Sequence, residues 1–157
     1  GLDTVWGQDD VLAAAKAGAD AILFPKISSA SEVARCEAAL ASAGAGPQTA
    51  LWVMIETPLA ILNLQEIAAA AAKPDSRLRC FVLGTNDLLK ESRAMATGGR
   101  FAILPWLSMT LLAARAYGLD VIDGVYNDFR DEQGFRAECE QGRTLGWRGV
   151  IADISSR

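Results

Sequence analysis

Short apolar runs alternate with amphipathic stretches along the chain. Apolar runs bounded by Gly, Pro or polar residues are typical of buried strands, and a period near 3.6 is typical of helices. The pattern predicts five strands, at Ala19–Lys26, Thr49–Glu56, Leu78–Leu83, Asp120–Tyr126 and Arg148–Asp153. It predicts helices at Gln8–Ala17, from Ser29 to Gly44, and at Leu64–Ala72, Ile103–Tyr117 and Glu132–Leu145. This alternation indicates an α/β fold with a parallel sheet, either an open sheet or a barrel.

Helix-start signals support this division. Ser29 with Glu32 forms a capping-box pattern, and Thr57 precedes a proline, which is favoured in the first helical turn. Asn63 with Glu66 predicts a further helix cap. We expect Trp52, inside the second strand, to lie in the core.

Composition excludes several classes of function. The 157 residues suit one domain, and a net charge of −4 gives no support for binding nucleic acid or anionic membranes. The chain has no histidine and three widely spaced cysteines, which argues against zinc sites and Ser-His-Asp catalysis. There is no membrane-spanning run and no signal-peptide pattern at the start, so we expect a cytoplasmic protein. Any metal would be oxygen-bound, with Mg²⁺ the first candidate.

Two carboxylates end predicted strands. Glu56 closes the second strand and Asp87 follows the third, one strand–helix unit later. Because a buried charge must be paired, protonated or bound to a cation, and parallel strands end at one edge of the sheet, the two could share a ligand. Two simpler interpretations remain open. Glu56 could accept hydrogen bonds from the next helix, and Asp87 could be a helix N-cap.

Longer segments resemble a known family. FPKISSASEV, MIETPLAILNLQEIAAA, FVLGTNDLLKE and VIDGVYNDFRDEQGFRAECEQGRTLGW together are similar to the HpcH/HpaI aldolase–citrate lyase β-subunit family, closest to its CitE-like and malyl-CoA lyase or thioesterase branch. The resemblance implies a (β/α)₈ TIM barrel of which residues 1–157 form a single partial domain. This domain would cover roughly units four to eight, without the N-terminal strands and the C-terminal lid.

The resemblance also implies a chemistry. Glu56 and Asp87 take the positions of the family's metal pair and would hold Mg²⁺. The implied reaction is Claisen-type carbon–carbon cleavage or condensation of a hydroxyacyl-CoA or related hydroxy acid through an α-keto acid enolate, with a CoA thioester as the usual acyl partner. A malyl-CoA-type thioesterase is the alternative, followed by an aldolase acting on free hydroxy-keto acids.

An inactive, truncated barrel that needs another chain is a different alternative. The family's substrate-binding arginine would precede Gly1, and the chain has IADISSR where the family commonly has Ile-His-Pro. We therefore expect weak or no turnover, and self-association through uncovered sheet edges into a homo-oligomer.

Further site residues follow from the same resemblance. Backbone amides of Gly84, Thr85 and Asn86 would hold a substrate carboxylate, Lys26 would face the site as a cation, and Asp123 would contact the thioester or CoA arm. The simpler interpretations are a turn at Gly84–Asn86, a solvated lysine and a turn at Asp123.

Overall fold

The fold is built on a parallel sheet. The computed structural model describes residues 1–95, 100–128, 130–147 and 149–152, with residues 150–152 described by their backbone alone. Its five strands pair in chain order, each parallel to the next. They are β1 (Ala21–Phe24), β2 (Ala50–Ile55), β3 (Leu78–Leu83), β4 (Asp120–Tyr126) and β5 (Gly149–Ala152). The α/β class and the parallel sheet predicted from the sequence are confirmed.

Helices connect the strands. They are α1 (Gly7–Lys16), α2 (Ala30–Ser42), α3 (Pro58–Leu62), α4 (Leu64–Ala69, followed by a 3₁₀ turn at Ala70–Ala72), α5 (Thr85–Ser92), α6 (Leu104–Ala116) and α7 (Glu132–Leu145). Helices α2, α4 and α6 pack side by side, and the 3₁₀ turn, α2 and α6 contact the central strands. In the part of the chain that is described, no helix is both long and apolar enough to cross a membrane.

The two faces of the sheet differ in burial. In β2, Leu51, Val53 and Ile55 are fully buried in the core shared with the helices. Trp52 and Met54 alternate with them on the opposite face and are partly exposed. The prediction that Trp52 lies in the core is therefore wrong, because Trp52 is partly exposed and the core shared with the helices takes the alternate residues of β2.

The helix starts largely follow the predicted caps. The Ser29 hydroxyl accepts a hydrogen bond from the Glu32 N–H at 3.3 Å, and the Glu32 carboxylate accepts one from the Ser28 N–H at 2.7 Å. Thr57 accepts from the Ala60 N–H at 3.0 Å, which fixes the start of α3 just after Glu56.

The cap predicted at Asn63 is confirmed in position, since Asn63 is the N-cap residue of α4, but not in its hydrogen bond. Asn63 makes no side-chain cap and instead donates to the Ser28 carbonyl at 2.8 Å. Glu66 accepts from the Ala30 N–H at 3.0 Å. Both side chains therefore bind the start of α2, and a long-range contact has replaced the local one.

The described spans of strands β1, β2 and β5 are shorter than predicted, that of β2 by one residue at each end. Strand β1 ends at Phe24, because Pro25 has no N–H to donate and Lys26 adopts a left-handed backbone with φ of 60°. Strand β5 spans Gly149–Ala152, and the predicted end residues Arg148 and Asp153 lie outside the described residues.

Candidate metal and substrate site

The ends of β1, β2 and β3 lie side by side at one edge of the sheet. Phe24 pairs with Val53, and Ile55 pairs with Leu83, so the segments that follow these strands are neighbours. This register brings Lys26, Glu56 and Asp87 together.

Glu56 is held at the end of β2. Its side chain is buried, with 3% of the residue exposed, and its Oε1 atom accepts a hydrogen bond from the Lys26 N–H at 2.7 Å. The left-handed backbone of Lys26 aims this N–H at Glu56. A non-glycine residue in this conformation is strained, so the surrounding contacts must hold it there.

Asp87 lies in the first turn of α5. The helix begins at Thr85 with Gly84 as its N-cap residue, so the interpretation of Asp87 as the N-cap is wrong. Its Oδ2 atom lies 3.2 Å from the Lys26 Nζ, and its carboxyl group is close enough to that of Glu56 for the two to shift each other's pKa. The structure thus brings the two predicted carboxylates into contact.

The pKa values of the Glu56 and Asp87 carboxyl groups are shifted in opposite directions. Burial raises the pKa of Glu56 and the hydrogen bond with Asp87 raises it further, while the Lys26 N–H opposes this shift. The hydrogen bond with Glu56 lowers the pKa of Asp87, and Lys26 lowers it further. Glu56 is therefore the first of the two carboxylates to take up a proton as pH falls.

Gly84 and Gly124 allow close packing around the pair. A Cβ atom on Gly84 would overlap the Cβ of Glu56 and lie 2.8 Å from its Oε2. A Cβ on Gly124 would overlap the Thr85 side chain, which is buried. Neither position has room for a larger residue, so both glycines set how closely β2, α5 and β4 approach.

Asn86 has a partner that sequence reasoning missed. Its side chain and that of Asn127, just after β4, exchange two hydrogen bonds of 2.9 and 2.8 Å. This amide pair ties the start of α5 to the end of the next strand. Asn127 lies in the motif that carried the resemblance, but nothing local in the sequence identifies its partner.

Asp123 does not join the other predicted residues. It is 1% exposed, and its Oδ2 atom accepts from Arg100 at 2.8 Å while Oδ1 accepts from the Gly124 N–H at 2.7 Å. Arg100 also binds Gln141 of α7, with bonds of 3.1 and 2.9 Å. The turn predicted at Asp123 is wrong, since the residue lies within β4, where the pairing with β5 shifts register.

The residues present fit a hard divalent cation. Glu56 and Asp87 offer oxygen ligands at one point, and Mg²⁺ commonly takes only one or two carboxylates, completing its shell with water or substrate oxygens. Across the described parts of the chain, no group of three or more His, Cys, Asp or Glu side chains could hold a metal. A closed site made only of protein ligands is therefore not formed by these residues.

The chain is similar in sequence to known proteins. The chain is 50% identical over 149 residues to a (3S)-malyl-CoA thioesterase of Cereibacter sphaeroides, covering 95% of this chain and 48% of that protein. It is 33% identical over 153 residues to the citrate lyase subunit beta of Escherichia coli K12, covering 94% and 49%. The chain thus spans about half the length of the curated relatives it matches.

A solved structure has the same fold. The CitE protein of Mycobacterium tuberculosis, in complex with magnesium, acetoacetate and coenzyme A, superposes with a TM-score of 0.78. The match covers 98% of this chain and 54% of that one, at 23% identity. The sequence profile of the HpcH/HpaI aldolase/citrate lyase family matches residues 1–152. The chain therefore belongs to the HpcH/HpaI aldolase/citrate lyase family.

Proposed function

We propose that Glu56 and Asp87 form the Mg²⁺ site of an enzyme that hydrolyses a CoA thioester of the malyl-CoA type. The meeting of these two carboxylates at Lys26 carries the proposal, in a chain 50% identical to a malyl-CoA thioesterase over 149 residues. The thioesterase, predicted from the sequence as the alternative to the lyase, thus becomes the first candidate, because the thioesterase relative is more similar than the citrate lyase subunit.

Each residue has a defined task in this proposal. Glu56 and Asp87 hold the cation, which when bound would polarise the carbonyl oxygen next to it. The N–H groups of Thr85 and Asn86, at the start of α5, face no earlier helical carbonyl and would bind a substrate carboxylate. Gly84 keeps this helix start against Glu56, and its own N–H, also predicted to bind the substrate, donates instead to the Ile55 carbonyl at 3.0 Å. Lys26 supplies positive charge beside an anionic substrate.

Asp123 has a weaker case. We propose that Asp123 acts near the thioester arm indirectly. It binds the N–H of Gly124, which packs against Thr85. Its carboxylate is occupied by Arg100, so direct contact with substrate would require that ion pair to open.

Carbon–carbon cleavage is the second candidate. It is supported by the 33% identity to a citrate lyase subunit, and it would use the same cation site. The two reactions differ in products. Hydrolysis of malyl-CoA adds water across the C–S bond and gives malate and free CoA, whereas cleavage gives acetyl-CoA and glyoxylate.

We also propose that the sheet is part of a (β/α)₈ barrel, with residues 1–157 as one partial domain. The parallel chain-order pairing supports this, as does the partly exposed apolar face around Trp52 and Met54. Further strands, another chain or a second copy would cover that face. Without such cover, we propose that turnover is weak.

The products decide between the functions. The full chain is incubated with malyl-CoA and Mg²⁺, free CoA is measured with a thiol reagent, and glyoxylate is trapped as a hydrazone. We expect CoA release that is lost in Glu56→Gln and Asp87→Asn and kept in Glu140→Gln, a control on the exposed face of α7. Glyoxylate without free CoA would favour the lyase. Activity unchanged in both site variants would refute the metal pair.

A further inference from the structure

The Lys26 ammonium lies beside the proposed cation site. Its Nζ atom is 3.2 Å from the Asp87 Oδ2 and 3.2 Å from the Glu91 Oε1. The same residue binds Glu56 through its backbone N–H. Lys26 therefore contacts both carboxylates of the pair, one with its main chain and the other with its side chain.

The backbone keeps this lysine in place. The left-handed conformation at Lys26 follows Pro25, whose ring restricts the chain, and the N–H bond to Glu56 fixes the Cα position. The ammonium can still move, because its side chain is 48% exposed. The ammonium can therefore shift towards either of two carboxylates of α5, Asp87 or Glu91.

Glu91 provides the second of these positions. It lies one turn after Asp87 on the same face of α5, so one ammonium can bridge the two. When Asp87 binds a divalent cation, repulsion between the cation and the ammonium favours the Glu91 side. Without Glu91, the ammonium would have Asp87 alone as its partner.

We propose that Lys26 is a built-in competitor for the divalent cation at Asp87, and that Glu91 is a positioning residue that draws the Lys26 ammonium away. This inference rests on the proposed metal pair of Glu56 and Asp87. It gives Lys26 a second task beside substrate binding: the lysine lowers the affinity for the cation when no anionic substrate is present.

Calorimetric titration of the full chain with MgCl₂ alone tests the inference. We expect Lys26→Gln to tighten Mg²⁺ binding by about tenfold, the order expected for removing a unit charge near a divalent ion at a partly exposed site. Lys90→Gln is the matched control: its charge also acts on Asp87, but from an exposed position on α5 without an ion pair, so this variant measures the effect of charge alone. The gain in Lys26→Gln is expected to shrink as salt is added.

A double-mutant cycle tests the task of Glu91. Glu91→Gln is expected to weaken Mg²⁺ binding in the wild-type background and to have a clearly smaller effect in the Lys26→Gln background, because the ammonium it positions is gone. Equal effects in both backgrounds would show that Glu91 acts only as a distant charge and would refute the positioning role.

The remaining outcomes separate the inference from the proposed function. If Glu56→Gln abolishes Mg²⁺ binding but Lys26→Gln binds no tighter than the wild type or the Lys90→Gln control, the competition is refuted and the metal pair stands. If neither wild type nor Lys26→Gln binds Mg²⁺, or if Glu56→Gln binds as the wild type does, the metal pair itself is refuted. Circular dichroism of each variant checks that the fold is kept.

Discussion

The buried ion pair between Arg100 and Asp123 allows a quantitative prediction. The two side chains are 8% and 1% exposed, so either charge left alone would be largely without water. Replacing Arg100 by Met leaves the Asp123 carboxylate with the hydrogen bond from the Gly124 N–H. Replacing Asp123 by Ala leaves Arg100 with two bonds to Gln141 and with Glu138 at 3.4 Å.

These remaining partners set the size of each effect. Removing one partner of a buried pair costs about 3–5 kcal/mol, and we expect Arg100→Met to fall in this range. Asp123→Ala is expected to cost less, about 1–3 kcal/mol, because the guanidinium keeps its other acceptors. The free energy of unfolding of a small domain is about 5–15 kcal/mol, so Arg100→Met would remove a large part of the stability.

Urea unfolding followed by tryptophan fluorescence measures both changes. The matched control is Arg136→Met on α7, whose ion pair with Glu132 is about three-quarters exposed and is expected to contribute nothing resolvable. If Arg100→Met costs no more than the control, or if Asp123→Ala costs more than Arg100→Met, the explanation by stranded buried charge is wrong.

Two further predictions concern the thiols and one carboxyl group. Burial raises the pKa of Cys36 and of Cys80 to about 12, so a thiol reagent is expected to label the partly exposed Cys139 first and the other two only on unfolding. Burial also raises the pKa of Glu138 above its ordinary 4.5, against the lowering effect of Arg100. A raised folded-state pKa stabilises the fold at low pH, and this contribution is lost as pH rises through the folded value. Glu138→Gln is therefore expected to flatten the loss of stability as pH rises above 4.5 in urea titrations; an unchanged pH profile would refute this.

Much of the framework follows from local sequence. Strands β3 and β4 and helix α7 have the predicted bounds, because each is an uninterrupted pattern closed by a turn or a Gly such as Gly146. The Ser29 and Thr57 caps were also predictable, since a cap bonds only residues three positions away. The contact between Glu56 and Asp87 was expected from strand ends meeting at one edge.

What local patterns could not show is the set of long-range polar partners. Arg100 follows a polar, Gly-containing stretch with no period, and its bonds to Asp123 of β4 and Gln141 of α7 join residues that are far apart in the sequence. Asparagine often caps helices, but the Asn63 side chain donates to the Ser28 carbonyl before α2 instead. Trp52 fits a core strand, and only the arrangement of the helices shows which side of the sheet they cover.

The left-handed backbone at Lys26 also limits which amino acids can replace it. Glycine and asparagine tolerate this conformation, whereas valine and isoleucine, branched at Cβ, do not. Among all substitutions of Lys26, we expect the left-handed backbone to exclude more residue types than the loss of the positive charge does. Substitution by glycine or asparagine would remove the Lys26 ammonium but keep the backbone N–H that binds Glu56. The main-chain contact and the side-chain charge of this residue can therefore be lost independently.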